Sequence, residues 1–452
     1  MVGKAGERRR HIWKYMLLGT VFLVAFVWIM LLLGDRMPEV KLPQPEPPPH
    51  PNAYDYYLRA ENQLHEQVKK TTIAKELWEP TNYPELETLY SDKQKQVFLT
   101  QMAPCLHPIH EGFHYQCQVQ NTNGLENTGY GNMRDLNRYL CFAARTEARV
   151  GKWDDTAQYA LDSLRLGTDV MQHLPVRGAL VGASIQSTCR TVMWSTIDHL
   201  SVAQARAAVT RLQEIDASTP SFAETLLREK DTGQIALYSL LHYPHPSWRL
   251  LLLQYYSFNE YGATGGGGMD GPLPLYTHGL LVSPFDRGPQ FIILRSKRSL
   301  FSAYGHEMDR LIRIAVLKYQ DQVSAILVKP GDTLALIFTP QFIKCNFKLT
   351  ANQTQNRMLL VECALQAYHV EHGEYPQKLE ALVPTYLTRL PDDPFALTGT
   401  FHYLRKGSSY LLYSVGPDGK DDGGKPVFDK TSSRTYYVQE KSTGDFVARV
   451  NE

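Results

Sequence analysis

Hydrophobic residues recur at intervals of three and four from Asn52 to about Leu241, which is the spacing of amphipathic helices. In the first such segment Tyr57, Leu58 and Leu64 form an apolar stripe. Serines that precede later segments offer N-cap side chains. The pattern therefore predicts a mostly helical body, with helices over residues 54–69, 86–99, 136–150, 154–171, 176–200, 202–215, 221–240 and, after a Gly-rich stretch, 301–327.

A different pattern stands near the N-terminus, where twenty residues from Tyr15 to Gly34 carry no charge. A helix of this length spans a bilayer core, and the basic residues before it favour a cytoplasmic N-terminus. A cleavable signal peptide is the alternative, although no small-x-small cleavage site follows the run. Seven prolines between Pro38 and Pro51 then predict a stiff, extended spacer. We therefore expect an uncleaved, single-pass signal anchor.

Toward the C-terminus the helical spacing gives way to shorter elements. Apolar residues at helical spacing from Met358 are followed by Gly373 and Pro376, which end helices. Alternating aromatic residues on either side of a turn-forming segment favour a β-hairpin. The pattern predicts a short helix at 378–383, two strands at 400–404 and 410–414, an acidic loop at 414–424, and an end hairpin from 436–440 and 445–450.

The order of these short segments resembles the C-terminal domain of the type II secretion major pseudopilins. The resemblance covers about residues 356–424 and rests on the ordered set G-E-Y-P, L-P-D-D-P, Y-S-V-G-P-D-G and D-D-G-G. The N-terminus lacks that family's cleavage signal and the glutamate inside its apolar helix. The matching residues are Gly373, Tyr375, Pro376, Leu390, Pro391, Asp393, Pro394, Tyr403, Tyr413, Ser414, Gly416, Asp418, Gly419, Gly423 and Gly424.

The resemblance implies a calcium site in the acidic loop. Asp418, Asp421 and Asp422, with Ser414 and backbone carbonyls, would supply the oxygen ligands that calcium prefers. A solvated acidic turn is the alternative. A second resemblance is local: the predicted hairpin around Gly151 is similar to a tetratricopeptide unit, and a stable array needs at least three such units.

Composition narrows the classes of function. The chain has 452 residues, with 47 Lys and Arg and 46 Asp and Glu. It therefore lacks the surplus of basic residues that would indicate nucleic-acid binding. Six cysteines are too few for a disulfide scaffold. Cys105 and Cys117 lie close together in a segment without clear periodicity, and they are the pair that the sequence favours for a bridge.

The segment from His110 to His114 matches the zinc-peptidase pattern H-E-x-x-H. On a helix two such histidines share a zinc ion, and Glu111 would activate its water. Pro104, Pro108 and Gly112 argue against a stable helix here. The alternatives are a chance match and a non-catalytic metal site formed by His107, His110, His114 and the two cysteines Cys105 and Cys117.

Together these features predict a mainly α-helical protein with a transmembrane helix and a small α+β C-terminal domain. We expect a membrane-anchored, exported binding or assembly protein of the bacterial cell envelope, associated with a type II secretion or pilus-like system. We expect the protein to lie in the inner membrane, with most of the chain outside the cytoplasm. Its expected partners are the membrane and a protein of the envelope. The predicted segments are 1–14 (basic tail), 15–34 (transmembrane helix), 35–52 (linker), 53–345 (helical domain), 346–430 (pseudopilin-like domain) and 431–452 (hairpin or tail).

Overall fold

A computed structural model of the chain describes residues 13–26, 29, 39–44, 46–70, 90–119, 130–242, 296–326, 333–428 and 437–451. Helices dominate these residues, and a small three-stranded sheet lies near the C-terminus. The helices are α1 (Ala53–Val68), α2 (Asp92–Met102), α3 (His107–Gly112), α4 (Tyr130–Arg149), α5 (Trp153–Met171), α6 (Val176–Thr196), α7 (Val202–Ser218), α8 (Phe222–Leu241), α9 (Lys297–Ala315), α10 (Tyr319–Ile326) and α11 (Thr333–His372). The strands are β1 (His402–Lys406), β2 (Ser409–Ser414) and β3 (Phe446–Val447), and 3₁₀ turns occupy Ala103–Leu106, Ile197–His199 and Leu379–Leu382.

The transmembrane helix predicted at residues 15–34 is wrong, because no helix within the described ranges is both long and apolar enough to cross a bilayer. Residues 27–28 and 30–34 of the predicted span lie outside the described residues. Four related predictions are wrong for the same reason. They are the fold class with a membrane helix, the single-pass signal anchor, the membrane as a partner, and the inner-membrane location.

Most helices of the body lie where the hydrophobic periodicity predicts them. The helix predicted over 86–99 instead begins at Asp92, and residues 86–89 lie outside the described residues. Ser201 and Ser221 cap α7 and α8, and in both cases the residue three positions later completes a capping box. Gly151, with φ of 74°, separates α4 from α5 as predicted. The helix predicted over 301–327 is instead two helices, α9 and α10.

Helices α5 and α6 form the centre of the body, because two glycines let their backbones approach closely. A Cβ atom added at Gly167 would lie 2.7 Å from the carbonyl oxygen of Gly182, and one added at Gly182 would lie 2.3 Å from that of Gly167. On one side of this pair α1 to α4 enclose a core around Tyr57, Phe98 and Met133. On the other sides α8 to α10 build a core against α6, and the C-terminal region shares a core with both α5 and α6.

The C-terminal unit consists of the last turns of α11 and the sheet. The sheet is antiparallel in the order β1-β2-β3, and Lys406 pairs with Ser409 across a two-residue turn. A hairpin is therefore confirmed, but its first strand lies at 402–406 and not at the predicted 400–404. Residues 437–439 form no strand, and Phe446–Val447 pairs with β2, so the predicted end hairpin is wrong. Helix α11 runs from Thr333 to His372 and passes without a break through residue 346, the predicted domain boundary.

A buried polar layer joins α11 to the body. Arg190 on α6 donates from Nη1 to Asn352 Oδ1 at 2.9 Å and Asn356 Oδ1 at 2.6 Å, and from Nη2 to Gln355 Oε1. Gln186 Oε1 accepts from Asn352 Nδ2 and Asn356 Nδ2 at 2.7 and 2.9 Å. All five side chains are buried. This layer therefore sets how α11 lies against α6.

A second buried polar contact, made by Asp393, joins two segments of the C-terminal unit. Asp393, which is 1% exposed, accepts from the Ser414 hydroxyl at 2.8 Å and from the backbone N–H groups of Phe395 and Val415 at 3.0 Å each. Burial raises the pKa of the Asp393 carboxyl. The L-P-D-D-P segment and the Y-S-V-G segment, which are distant in sequence, are thereby held against each other.

Candidate functional site

The HEGFH segment lies beside a cleft between α3, α5 and α7. One cavity of about 400 Å³ opens there. A second, of about 410 Å³, shares Phe113, His114 and Arg165 with the first and continues toward His173 and Ser218. We call the two cavities together the polar groove. Its first cavity is lined by His110, Phe113, His114, Gln158, Asp162, Arg165, Arg211, Glu214 and Ile215.

A buried carboxylate fixes one wall of the polar groove. The Asp162 side chain is 5% exposed, and its Oδ2 lies 2.8 Å from His110 Nε2 while its Oδ1 accepts from Arg211 Nη2 at 2.7 Å. The hydrogen bond with Asp162 raises the pKa of His110. Asp162 therefore holds a histidine and an arginine from two other helices in fixed positions.

Asp169 holds a second arginine of the groove, Arg165, in a fixed position. Arg165 donates from Nε to Asp169 Oδ1 at 2.9 Å and from Nη2 to the Phe113 carbonyl at 3.3 Å. Asp169 is 1% exposed and also accepts from the Tyr57 hydroxyl. Burial raises the pKa of the Asp169 carboxyl, and Arg165 acts against that rise. The positive charges of Arg165 and Arg211 are thus balanced by carboxylates behind them.

Two side chains of the polar groove remain available to a ligand. Within the described ranges no hydrogen bond is made by the His114 imidazole or the Glu214 carboxylate, and both residues are exposed. Phe113 and Ile215 add apolar surface beside them. The groove therefore offers preset polar walls and unused hydrogen-bonding groups.

The two predicted zinc-binding histidines, His110 and His114, do not lie on the same helix in the structure. Helix α3 ends at Gly112, so His114 lies in the turn beyond it, and His110 Nε2 faces Asp162. His107 Nδ1 lies 3.7 Å from Glu111 Oε1. Among the side chains that the structure describes, no group of three His, Cys, Asp or Glu could hold a metal ion. A zinc peptidase at His110, Glu111 and His114 stays an untested prediction.

Two of the three predicted calcium residues, Asp418 and Asp421, accept hydrogen bonds within the acidic turn itself. Asp421 Oδ1 accepts from the Gly423 N–H at 2.9 Å and the Tyr413 hydroxyl at 3.0 Å, and Asp418 Oδ1 accepts from the Lys420 N–H at 3.2 Å. The Gly423 N–H lowers the pKa of Asp421. Calcium at Asp418, Asp421 and Asp422 also stays untested.

No family model, curated protein or solved structure matches this chain. The resemblance to the pseudopilins therefore stays a prediction.

The acidic turn depends on a residue that the sequence did not single out. Asp445 is fully buried and accepts from the backbone N–H groups of Asp422, Gly424 and Lys425, the shortest at 2.7 Å from Gly424. It follows Gly444 and stands at the first position of the predicted strand 445–450. Only the folding of the tail back onto the turn shows its role.

We expect Asp445→Ala to lower the free energy of unfolding by about 1–2 kcal/mol, because three N–H groups lose their acceptor while water can reach some of them. Urea unfolding of the full chain measures this loss. Asp418→Ala, which removes one exposed hydrogen bond, is the control and should cost less than about 0.5 kcal/mol. Equal losses for the two variants would contradict the role of Asp445.

Proposed function

We propose that this chain is a binding or assembly protein whose helical body receives a polypeptide segment of a protein partner in the polar groove. The supporting observation is the combination of walls fixed by Asp162 and Asp169 with unused groups on His114 and Glu214. A site whose side chains are already held in place loses little conformational entropy on binding.

The balance of charge favours a polypeptide over a small ion. Arg165 and Arg211 are each paired with a buried carboxylate, so neither presents an uncompensated charge that would attract an isolated anion. Peptide N–H and C=O groups are neutral and need partners of both kinds. The groove supplies an acceptor at Glu214, an imidazole at His114 and the apolar surface of Phe113.

The C-terminal unit supports the assembly part of the proposal. The resemblance of residues 356–424 to pseudopilins suggests a partner in a type II secretion or pilus-like system. This part rests on resemblance alone, whereas the polar groove rests on contacts between named side chains.

Site-specific photocrosslinking in the cell of origin tests the proposal. A photoreactive residue at Gln158, which is exposed in the groove, should give an adduct with a polypeptide. The matched control is the same residue at Ser187, which is exposed on α6 outside the groove. The Gln158 adduct should fall at least about fivefold when His114 and Glu214 are both replaced by alanine, as expected for about 1 kcal/mol lost. Equal adducts at the two positions, or none at Gln158, would reject the proposal.

A further inference from the structure

The Pro-rich segment before α1 lies against the helical body and reaches the end of the polar groove. We call its described residues, 39–51 without residue 45, the strap. Val40 and Leu42 pack against the core of α8 and α9, and α1 begins shortly after the last residue of the strap. Between these two anchors Glu46 contacts His173, which lines the second cavity of the groove. The middle of the strap therefore borders the groove.

Two polar contacts hold Glu46 in place. Its carbonyl oxygen accepts from Gln118 Nε2 at 3.0 Å, and its Oε2 accepts from Arg228 Nη2, on α8, at 3.2 Å. His173 Nδ1 lies 3.7 Å from Glu46 Oε2 and 3.5 Å from Arg228 Nη2. Burial, followed by the charge of Arg228, lowers the pKa of His173, so the imidazole is neutral near pH 7 and Arg228 supplies the positive charge. Glu224, one turn earlier on α8, accepts instead from the N-cap residue of that helix.

Arg228 differs from the two arginines in the walls of the groove. Arg165 and Arg211 face buried carboxylates that stand on α5. The Glu46 side chain is 58% exposed, and no residue of the strap lies in a helix or a strand. An exposed ion pair adds little to stability. The carboxylate that faces Arg228 can therefore be exchanged for another, whereas those that face Arg165 and Arg211 are fixed.

We propose that the partner's segment carries an acidic side chain, which replaces Glu46 on Arg228 and extends the binding site from the polar groove to α8. This inference rests on the proposed function, because a polypeptide must first occupy the groove. The strap then acts as an intramolecular competitor. It offers a carboxylate to Arg228 and a peptide carbonyl to Gln118, and an acidic segment in an extended conformation presents the same two groups.

The competition sets how tightly the partner binds. Lifting the middle of the strap breaks one exposed ion pair and one exposed hydrogen bond, while Val40 and Leu42 stay anchored. The apparent affinity for the partner is reduced in proportion to the fraction of chains in which Glu46 occupies Arg228. Removing the charge of Glu46 should therefore strengthen binding, and removing Arg228 as well should cancel that gain.

The experiment repeats the photocrosslinking at Gln158 in full-length chains that carry Glu46→Gln, alone or together with Arg228→Gln. We expect the Glu46→Gln chain to give about two- to fivefold more polypeptide adduct, which is the range that one exposed ion pair is worth. The double variant should fall back to the wild-type yield or below, because the partner's carboxylate has lost its arginine. Glu39→Gln, at an exposed residue of the strap, is the matched control and should leave the yield unchanged.

Two outcomes would overturn the inference while the proposed function stands. One is an unchanged or reduced yield in the Glu46→Gln chain, although the wild-type chain gives an adduct at Gln158 and not at Ser187. The other is a double variant with the same raised yield as the single variant, because lifting the strap would then only clear space. If no chain gives an adduct at Gln158, the proposed function fails and the inference fails with it. Circular dichroism of the purified chains checks that each variant keeps the wild-type helix content.

Discussion

Replacing Asp393 by alanine is expected to lower the free energy of unfolding by about 3–4 kcal/mol, because three buried donors lose their acceptor. Those donors are the Ser414 hydroxyl and the N–H groups of Phe395 and Val415. Urea unfolding of the full chain, followed by tyrosine fluorescence and circular dichroism, measures the change. The near-ultraviolet signal of the C-terminal unit should be lost at a lower urea concentration than the helical signal of the body.

Asparagine at the same position separates hydrogen bonding from side-chain volume. Its single carbonyl oxygen can still accept from Ser414 and Phe395, but its NH₂ group would face the Val415 N–H, and two donors cannot pair. The loss should therefore be smaller, about 1–2 kcal/mol, since asparagine also avoids the cost of ionising a buried carboxyl. Asp392→Asn is the matched control on the exposed neighbouring residue, and it should leave stability within about 0.5 kcal/mol. A loss at Asp392 as large as that at Asp393 would refute the assignment.

Asp393 also illustrates what the sequence could predict. The turn around Pro391 and Pro394 follows from local chemistry, and so does the hairpin of β1 and β2, because both depend on residues close in the chain. The contact between Asp393 and Ser414 depends on how the two segments fold onto each other. Local patterns therefore located the pieces of this unit but not the side chain that joins them.

The helices of the body were predictable for the same reason, since hydrophobic spacing and serine caps are local. The state of the cysteines was not. Closeness in sequence favoured a bridge between Cys105 and Cys117, whereas both thiols are free and buried. The polar groove was also predictable only in part. The H-E-x-x-H pattern identified His110, but not Asp162 and Arg211, which come from other helices. Asp162 contacts both His110 and Arg211.

Helix α11 shows how a buried polar layer escapes a search for apolar stripes. Asn352, Gln355 and Asn356 have the i, i+3, i+4 spacing of a single helix face, and an apolar stripe follows them from Leu359. Such spacing among amides predicts a solvated face when no partner is known. The partner is Arg190, more than 160 residues earlier in the chain.

We expect Arg190→Ala to cost about 3–5 kcal/mol, because it leaves a cavity and removes the donor from three buried amide oxygens. Arg190 has no carboxylate partner within the described residues, and burial lowers its pKa to about 9. Its charge is therefore costly, and the hydrogen bonds to Asn352, Gln355 and Asn356 must offset that cost. Urea unfolding at neutral pH measures the net effect.

Two further variants decide whether the shape of the side chain or its charge matters. Arg190→Lys keeps the charge but replaces the planar fork by a single ammonium group that cannot reach all three amides, so about 2–3 kcal/mol should still be lost. Arg190→Met fills most of the volume without donors and should also lose about 2 kcal/mol or more, since the amide oxygens stay unsatisfied. Arg298→Ala, on the exposed face of α9, should change stability by less than about 0.5 kcal/mol. A methionine variant as stable as the wild type would mean that apolar packing alone holds α11 on α6, and that the polar layer adds no stability.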